Sequence, residues 1–116
     1  MEISRNAQRK EETEAFRGYA ARGMTVNRTE VTDMDTWLSD LAVDHALSIL
    51  RAQGKAHMAD AVAAIYFVSP TEPLEKSEIE RRVIHYCMNN YVCRRSVYNW
   101  LSTARWLYRA MYHGKE

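Results

Sequence analysis

The sequence has little of what usually breaks a chain into hairpins or locks it with bridges: two cysteines, two prolines and four glycines in 116 residues. Cys87 and Cys93 are too few for a disulfide framework. Nothing at the start resembles a signal peptide, because Met1 to Glu14 is charged throughout with no apolar run behind it. Both features lead to the expectation of a cytoplasmic protein. Long apolar runs are also missing. The most apolar stretch, Ala59 to Val68, is too short to span a bilayer and contains Asp60, so no membrane segment is expected. No segment alternates with a period of two for long enough to predict a strand, and there is no internal repeat or low-complexity linker. Nor does one sign of charge dominate, since 16 Lys and Arg stand against 15 Asp and Glu.

What is present is enough apolar content, 47% of the chain, for one compact core. The patterning predicts an all-α fold, a compact domain of four to five helices. Ala7 to Arg22 is rich in helix formers, with Ala15, Phe16, Tyr19 and Ala20 as a short apolar stripe, but Gly18 and Gly23 weaken it. Residues 1–32 therefore read as an N-terminal arm or marginal helix, and 33–116 as a single helical domain. A firmer helix starts near Thr32 or Asp33 and carries Trp37, Leu38, Leu41, His45, Ile49 and Leu50 until Gly54 ends it. Ala56 to Val68 follows, with Met58, Val62, Ile65 and Tyr66 on one side, and Pro70 and Pro73 stop it. Ser77 and Glu80 have the capping-box spacing, and Leu74, Ile79, Val83, Ile84 and Cys87 supply the next buried face. Asn89 and Asn90 mark the break after it. The last helix, about 94–112, spans roughly 28 Å at the standard rise. Val97, Leu101, Ala104, Tyr108 and Met111 form its core stripe.

The chemistry is concentrated at the start of that helix. Val92 plugs a turn, Cys93 occupies the helix start, and Val97 and Leu101 are core anchors four residues apart, which is the second half of a helix-turn-helix spanning about 74–112. Arg94, Arg95, Tyr98, Asn99 and Ser102 are left facing outward. Such side chains reach phosphates and base edges when a helix lies in a major groove. Charge supports this placement: from Arg94 to Glu116 five basic residues against one acidic give +4, while from Thr32 to Pro70 two against five give −3. A local basic cluster holds a polyanion even on a nearly neutral molecule. A plain amphipathic helix with a basic solvent face would show the same pattern. The first half of the motif is unorthodox, because Ile84 to Tyr91 lacks the usual Gly and reads as a connection a few residues longer than normal.

The apolar helix, the extended helix-turn-helix and the run Trp100, Leu101, Ala104 and Leu107, followed by Tyr108 to Met111, resemble the small phage late-gene antitermination proteins of the Q type. The chain is also similar there to region 4 of sigma factors. The resemblance covers the C-terminal half, from Ala59 onward. It implies a transcription factor that binds double-stranded DNA near a phage late promoter and modifies RNA polymerase. Arg94, Arg95, Tyr98 and Asn99 are the positions that match the DNA-reading helix; no polymerase-contacting residue carries over.

Competing constellations are weaker. His85, Cys87, Cys93 and His113 lack the short regular spacing of a structural zinc site. Asp40, Asp44 and His45 suggest a nuclease or acid-base pair, but no nucleophile or phosphate-binding Gly loop accompanies them, and Asp33, Asp35, Asp40 and Asp44 read more simply as a solvated acidic side. Trp100, Trp106, Tyr108 and Tyr112 suggest stacking on bases, although at least one of the two tryptophans is expected at the core edge or against another molecule. The expectation is a DNA-binding transcription regulator with no catalytic residues, metal or cofactor. Arg94, Arg95, Tyr98 and Asn99 contact DNA, and Ser102 and Arg105 contact phosphate. A protein-interaction module, such as a phage-encoded inhibitor of a host complex using the same basic helix, is the alternative.

Overall fold

The computed structural model describes residues 5–26 and 33–113. Among them are five helices and no strand: α1 (Arg5–Ala21), α2 (Met34–Ala52), α3 (Ala56–Tyr66), α4 (Lys76–Asn90) and α5 (Arg94–His113). The all-α expectation holds.

Helix boundaries follow from local chemistry. Asp33 starts α2 from an extended backbone, and its carboxylate accepts from the Asp35 amide at 3.0 Å, satisfying one of the free donors of the first turn. Thr32, the other candidate for that cap, lies outside the described residues. At the other end Gly54 takes a positive φ of 75°, which lets Gly54 N donate to the Arg51 carbonyl and Lys55 N to the Leu50 carbonyl. This is a Schellman ending, and it needs a residue tolerant of the left-handed region. The start of α4 is different from the sequence expectation. Glu75 is its cap residue and makes no side-chain cap bond, while Ser77 lies inside the first turn, so no capping box forms.

The core brings all five helices together. Phe16 and Tyr19 of α1, Val43, Leu47 and Leu50 of α2, Val62, Ile65 and Tyr66 of α3, Val83 of α4, and Val97, Leu101, Ala104 and Tyr108 of α5 are buried in one cluster. The sequence boundary at residue 32 therefore does not separate an arm from the domain. A 17-residue α1 lies against α2, α3 and α5 instead. Two periodicities also shift. In α2 the innermost residues are Asp40, Ala42, Val43, Ala46, Leu47 and Leu50, whereas Leu38 and His45 face out. The helix is apolar over much of its circumference, so its sequence alone did not fix the rotation. In α5, Met111 lies beyond the end of the packed stripe and is exposed. On α4, only Val83 is fully buried, and Ile84 is exposed.

Polar groups complete the interior. Asp40, 1% exposed, is bonded by Arg22 Nε and Nη2 at 2.7 and 2.6 Å, which fastens the end of α1 to α2. Asp44 accepts from the Tyr19 hydroxyl at 2.9 Å. The solvated acidic side predicted for α2 forms only in part: Asp33 and Asp35 are exposed, whereas Asp40 and Asp44 are structural partners of α1. Arg17 is buried and donates to the carbonyls of Tyr66, Val68, Ser69 and Glu72, and Arg82 adds bonds to those of Ile65 and Val68. These two guanidiniums satisfy the orphan carbonyls where α3 ends and the chain turns toward α4.

Candidate nucleic-acid interface

α3, α4 and α5 touch one another pairwise, so the connection between α4 and α5 is braced by a third helix. That connection is three residues, Tyr91, Val92 and Cys93. The long Ile84 to Tyr91 connection expected from sequence is therefore not present. Ile84 to Asn90 is the helical second half of α4, and Asn89 and Asn90 are not the break. Their side chains bond back along the helix, Asn89 to His85 and Asn90 to the Tyr86 carbonyl, both at 2.9 Å. The left-handed residue is Tyr91, at φ 56° and ψ 42°. Its amide and that of Val92 both donate to the Cys87 carbonyl, so α4 ends in the same left-handed way as α2 does at Gly54.

Tyr91 is 95% exposed, so its ring contributes little to packing while its backbone occupies a region that costs an L-residue roughly 1–2 kcal/mol. Tyr91→Gly is expected to raise folding stability by about 1 kcal/mol, read as a higher urea midpoint at constant slope. An unchanged or lower midpoint would show that the ring is held by contacts the fold needs.

α5 begins as the sequence predicts. The Cys93 carbonyl accepts from Val97 N at 3.3 Å, and its thiol lies 3.2 Å from the Ser96 hydroxyl. Hydrogen bonding from the Ser96 side chain and backbone lowers the thiol pKa. Val97, Leu101, Ala104 and Tyr108 face the core. Opposite them Arg94, Arg95, Tyr98, Asn99 and Ser102 are exposed, and neither Arg94 nor Arg95 makes an ion pair among the described residues. Partial burial raises the Tyr98 pKa, so at neutral pH its hydroxyl is a neutral donor and acceptor.

Arg105 departs from this set. It is only 13% exposed, donates through Nη1 to the Tyr66 hydroxyl at 2.6 Å, and lies 3.7 Å from the Glu12 carboxylate. Its position beside the buried Ala104 turns it toward α1 and α3, so it is a structural tie and not a free phosphate contact. Glu12 is itself buried, which raises its pKa, while Arg105 and Arg109 oppose that rise. Trp106 and Arg109 are further surface residues of this helix, Arg109 on the basic side that the helical period gives and Trp106 as the tryptophan expected outside the core. Arg95, Asn99, Ser102, Trp106 and Arg109 recur at steps of four, three, four and three, a signal as regular as the core stripe. Trp106 is 62% exposed, whereas Trp100 packs its ring against His57 at 4.8 Å.

The other constellations are dispersed. Tyr108 is in the core with Tyr112 stacked on it, centroids 5.5 Å apart. Among the described residues no group of three or more His, Cys, Asp and Glu is placed to hold a metal ion, and no helix is long and apolar enough to cross a membrane. Protein-family models, curated proteins and solved structures offer no match to this chain.

Proposed function

We propose that this protein binds double-stranded DNA through the first half of α5 and regulates transcription. One observation carries the reading: a three-residue turn with a left-handed first residue delivers an α5 whose exposed face holds Arg94, Arg95, Tyr98, Asn99 and Ser102, opposite a continuous core stripe. The helix is the right size of object for a major groove, and its exposed groups have the donor and acceptor types that phosphates and base edges require. The more specific role, a phage Q-type antitermination factor that modifies RNA polymerase, rests on the resemblance carried by Trp100, Leu101, Ala104 and Leu107.

Anisotropy titration of a labelled duplex over a range of salt concentrations tests the reading. Arg95→Ala should weaken binding across sequences and reduce the salt slope by about one unit, because one phosphate contact is lost. Binding that ignores salt, or ignores this substitution, sinks the assignment. A second reading is favoured by the exposed apolar residues Ile84, Met88 and Tyr91, spaced by four and three along the end of α4. They suit a protein partner such as a host complex that the chain inhibits. Tight binding to RNA polymerase with no affinity for duplex would support that reading instead.

A further inference from the structure

The outward stripe of α5 continues past Ser102 into a cleft of about 320 Å³ between α5 and the first half of α1. Its floor is Glu12, with Arg105 at 3.7 Å and Arg109 at 3.9 Å. One wall is the indole of Trp106, a large ring left mostly to water. Around the opening stand Arg9, Ser102, Arg109 and Gln8, whose side-chain oxygen accepts from Arg109 Nη1 at 2.9 Å. Three guanidiniums against one carboxylate leave the lining at +2.

This combination is selective. A simple anion would use the guanidiniums but has no need of an exposed indole, and an apolar ligand would gain from the indole but strand the charges. A planar ring joined to a phosphate uses both. We propose that the α1–α5 cleft binds a nucleoside monophosphate unit, its base stacked on Trp106 and its phosphate held by Arg9 and Arg109. The Glu12 carboxyl, the Gln8 amide and the Ser102 hydroxyl then meet the base and sugar edges. Arg105 is committed to Tyr66 and Glu12 and fixes the floor in place, whereas the more exposed Arg109 exchanges its Gln8 bond for the phosphate and so frees the Gln8 amide. The cleft volume is near the lower end of small-molecule sites, about 300–1,000 Å³, which fits one nucleotide and not a folded partner. Arginine forks match phosphate oxygens, and stacking on an aromatic ring tolerates any base.

The unit is either free or part of a single strand, and the two sources are separated by the probes. Adenosine monophosphate, adenosine, inorganic phosphate and a five-residue deoxyadenosine strand are each titrated into the full chain, following the Trp106 indole proton by NMR. The monophosphate should saturate and move that proton, and adenosine or phosphate alone should bind more weakly. Tighter binding of the monophosphate than of the strand identifies a free nucleotide, and the reverse identifies a strand; both support the cleft. Trp106→Ala, whose binding is read by calorimetry alongside the wild type because it lacks the reporting indole, should bind about 5- to 150-fold more weakly, the range expected for one stacked base. Its exposure means that the fold survives the change. Arg109→Ala should remove the advantage of the monophosphate over adenosine. Failure of the monophosphate and the strand alike to move the Trp106 proton, or binding undiminished in Trp106→Ala, overturns the proposal. Arg95 lies outside the cleft, so loss of duplex binding in its variant and loss of nucleotide binding in Trp106→Ala are separate results.

Discussion

Arg17→Ala is expected to lower folding stability by about 3–5 kcal/mol, as several carbonyls lose a charged donor at about 1.5–3 kcal/mol for each such bond, with losses at neighbouring acceptors overlapping. The side chain is buried and donates to four carbonyls, those of Tyr66, Val68, Ser69 and Glu72. They belong to the end of α3 and the irregular chain leading to Pro73, where no helix supplies backbone donors. Alanine would leave these acceptors short of a charged donor, the Tyr66 carbonyl in a buried setting. Burial, followed by the nearby Arg82 charge, lowers the Arg17 pKa, yet a guanidinium stays charged at any pH a folded protein meets. Arg17→Lys keeps the charge but replaces a planar fork by a single nitrogen, so it should fall between alanine and wild type. Urea unfolding measures all three. Arg81→Ala is the surface control, because Arg81 is paired with Glu78 on the exposed side of α4. An Arg17→Ala loss no larger than that of Arg81→Ala would mean that the end of α3 is held by other means.

Arg17 also shows where sequence reading stops. Its neighbours Phe16 and Tyr19 signal a short apolar stripe, but nothing local distinguishes Arg17 from a solvated arginine. Its acceptors are about fifty residues away. Asp40 is similar. Within α2 it reads as one of several acidic residues, and only the return of α1 with Arg22 makes it an interior group. The legible parts were those determined by short-range rules: the Asp33 cap, the Gly54 ending, the Met58, Val62, Ile65 and Tyr66 face of α3, and the Val97 to Tyr108 stripe of α5. The turn before α5 was misplaced for a definite reason. Left-handed positions are sought at Gly or Asn, and Asn89 and Asn90 stand beside the true one at Tyr91. In the candidate site, Arg94, Arg95, Tyr98, Asn99 and Ser102 were found because an outward face is a matter of helical period. Arg105 was misassigned because its fate depends on Glu12 and Tyr66, from two other helices.

The second large effect concerns α1, which the sequence presents as part of an N-terminal arm or marginal helix. Phe16→Ala is expected to cost about 3–5 kcal/mol, a typical loss for truncating a fully buried phenylalanine. The ring lies 5.9 Å from Tyr66 and 5.8 Å from Tyr108, centroid to centroid, so it joins α1 to α3 and to the inner face of α5 at once. A loss of that size is a large part of the roughly 5–15 kcal/mol that stabilises an ordinary domain, and it should lower the melting temperature by about 10 °C or more. Phe16→Leu, which keeps most of the apolar volume, should recover much of the difference. An arm outside the core would melt independently, and Phe16→Ala would then leave the transition of the remaining helices where it was. The prediction is a single transition that shifts as a whole, because Tyr66, against which the Phe16 ring packs, also accepts the Arg105 bond that ties α5 to α3, while Arg105 pairs with Glu12 of α1. If it does, the surface presented by α5 depends on α1 even though α1 supplies none of Arg94, Arg95, Tyr98 or Asn99. Loss of duplex binding on deletion of α1 would then follow from lost support for α5, and the temperature at which Phe16→Ala stops binding should track its melting temperature.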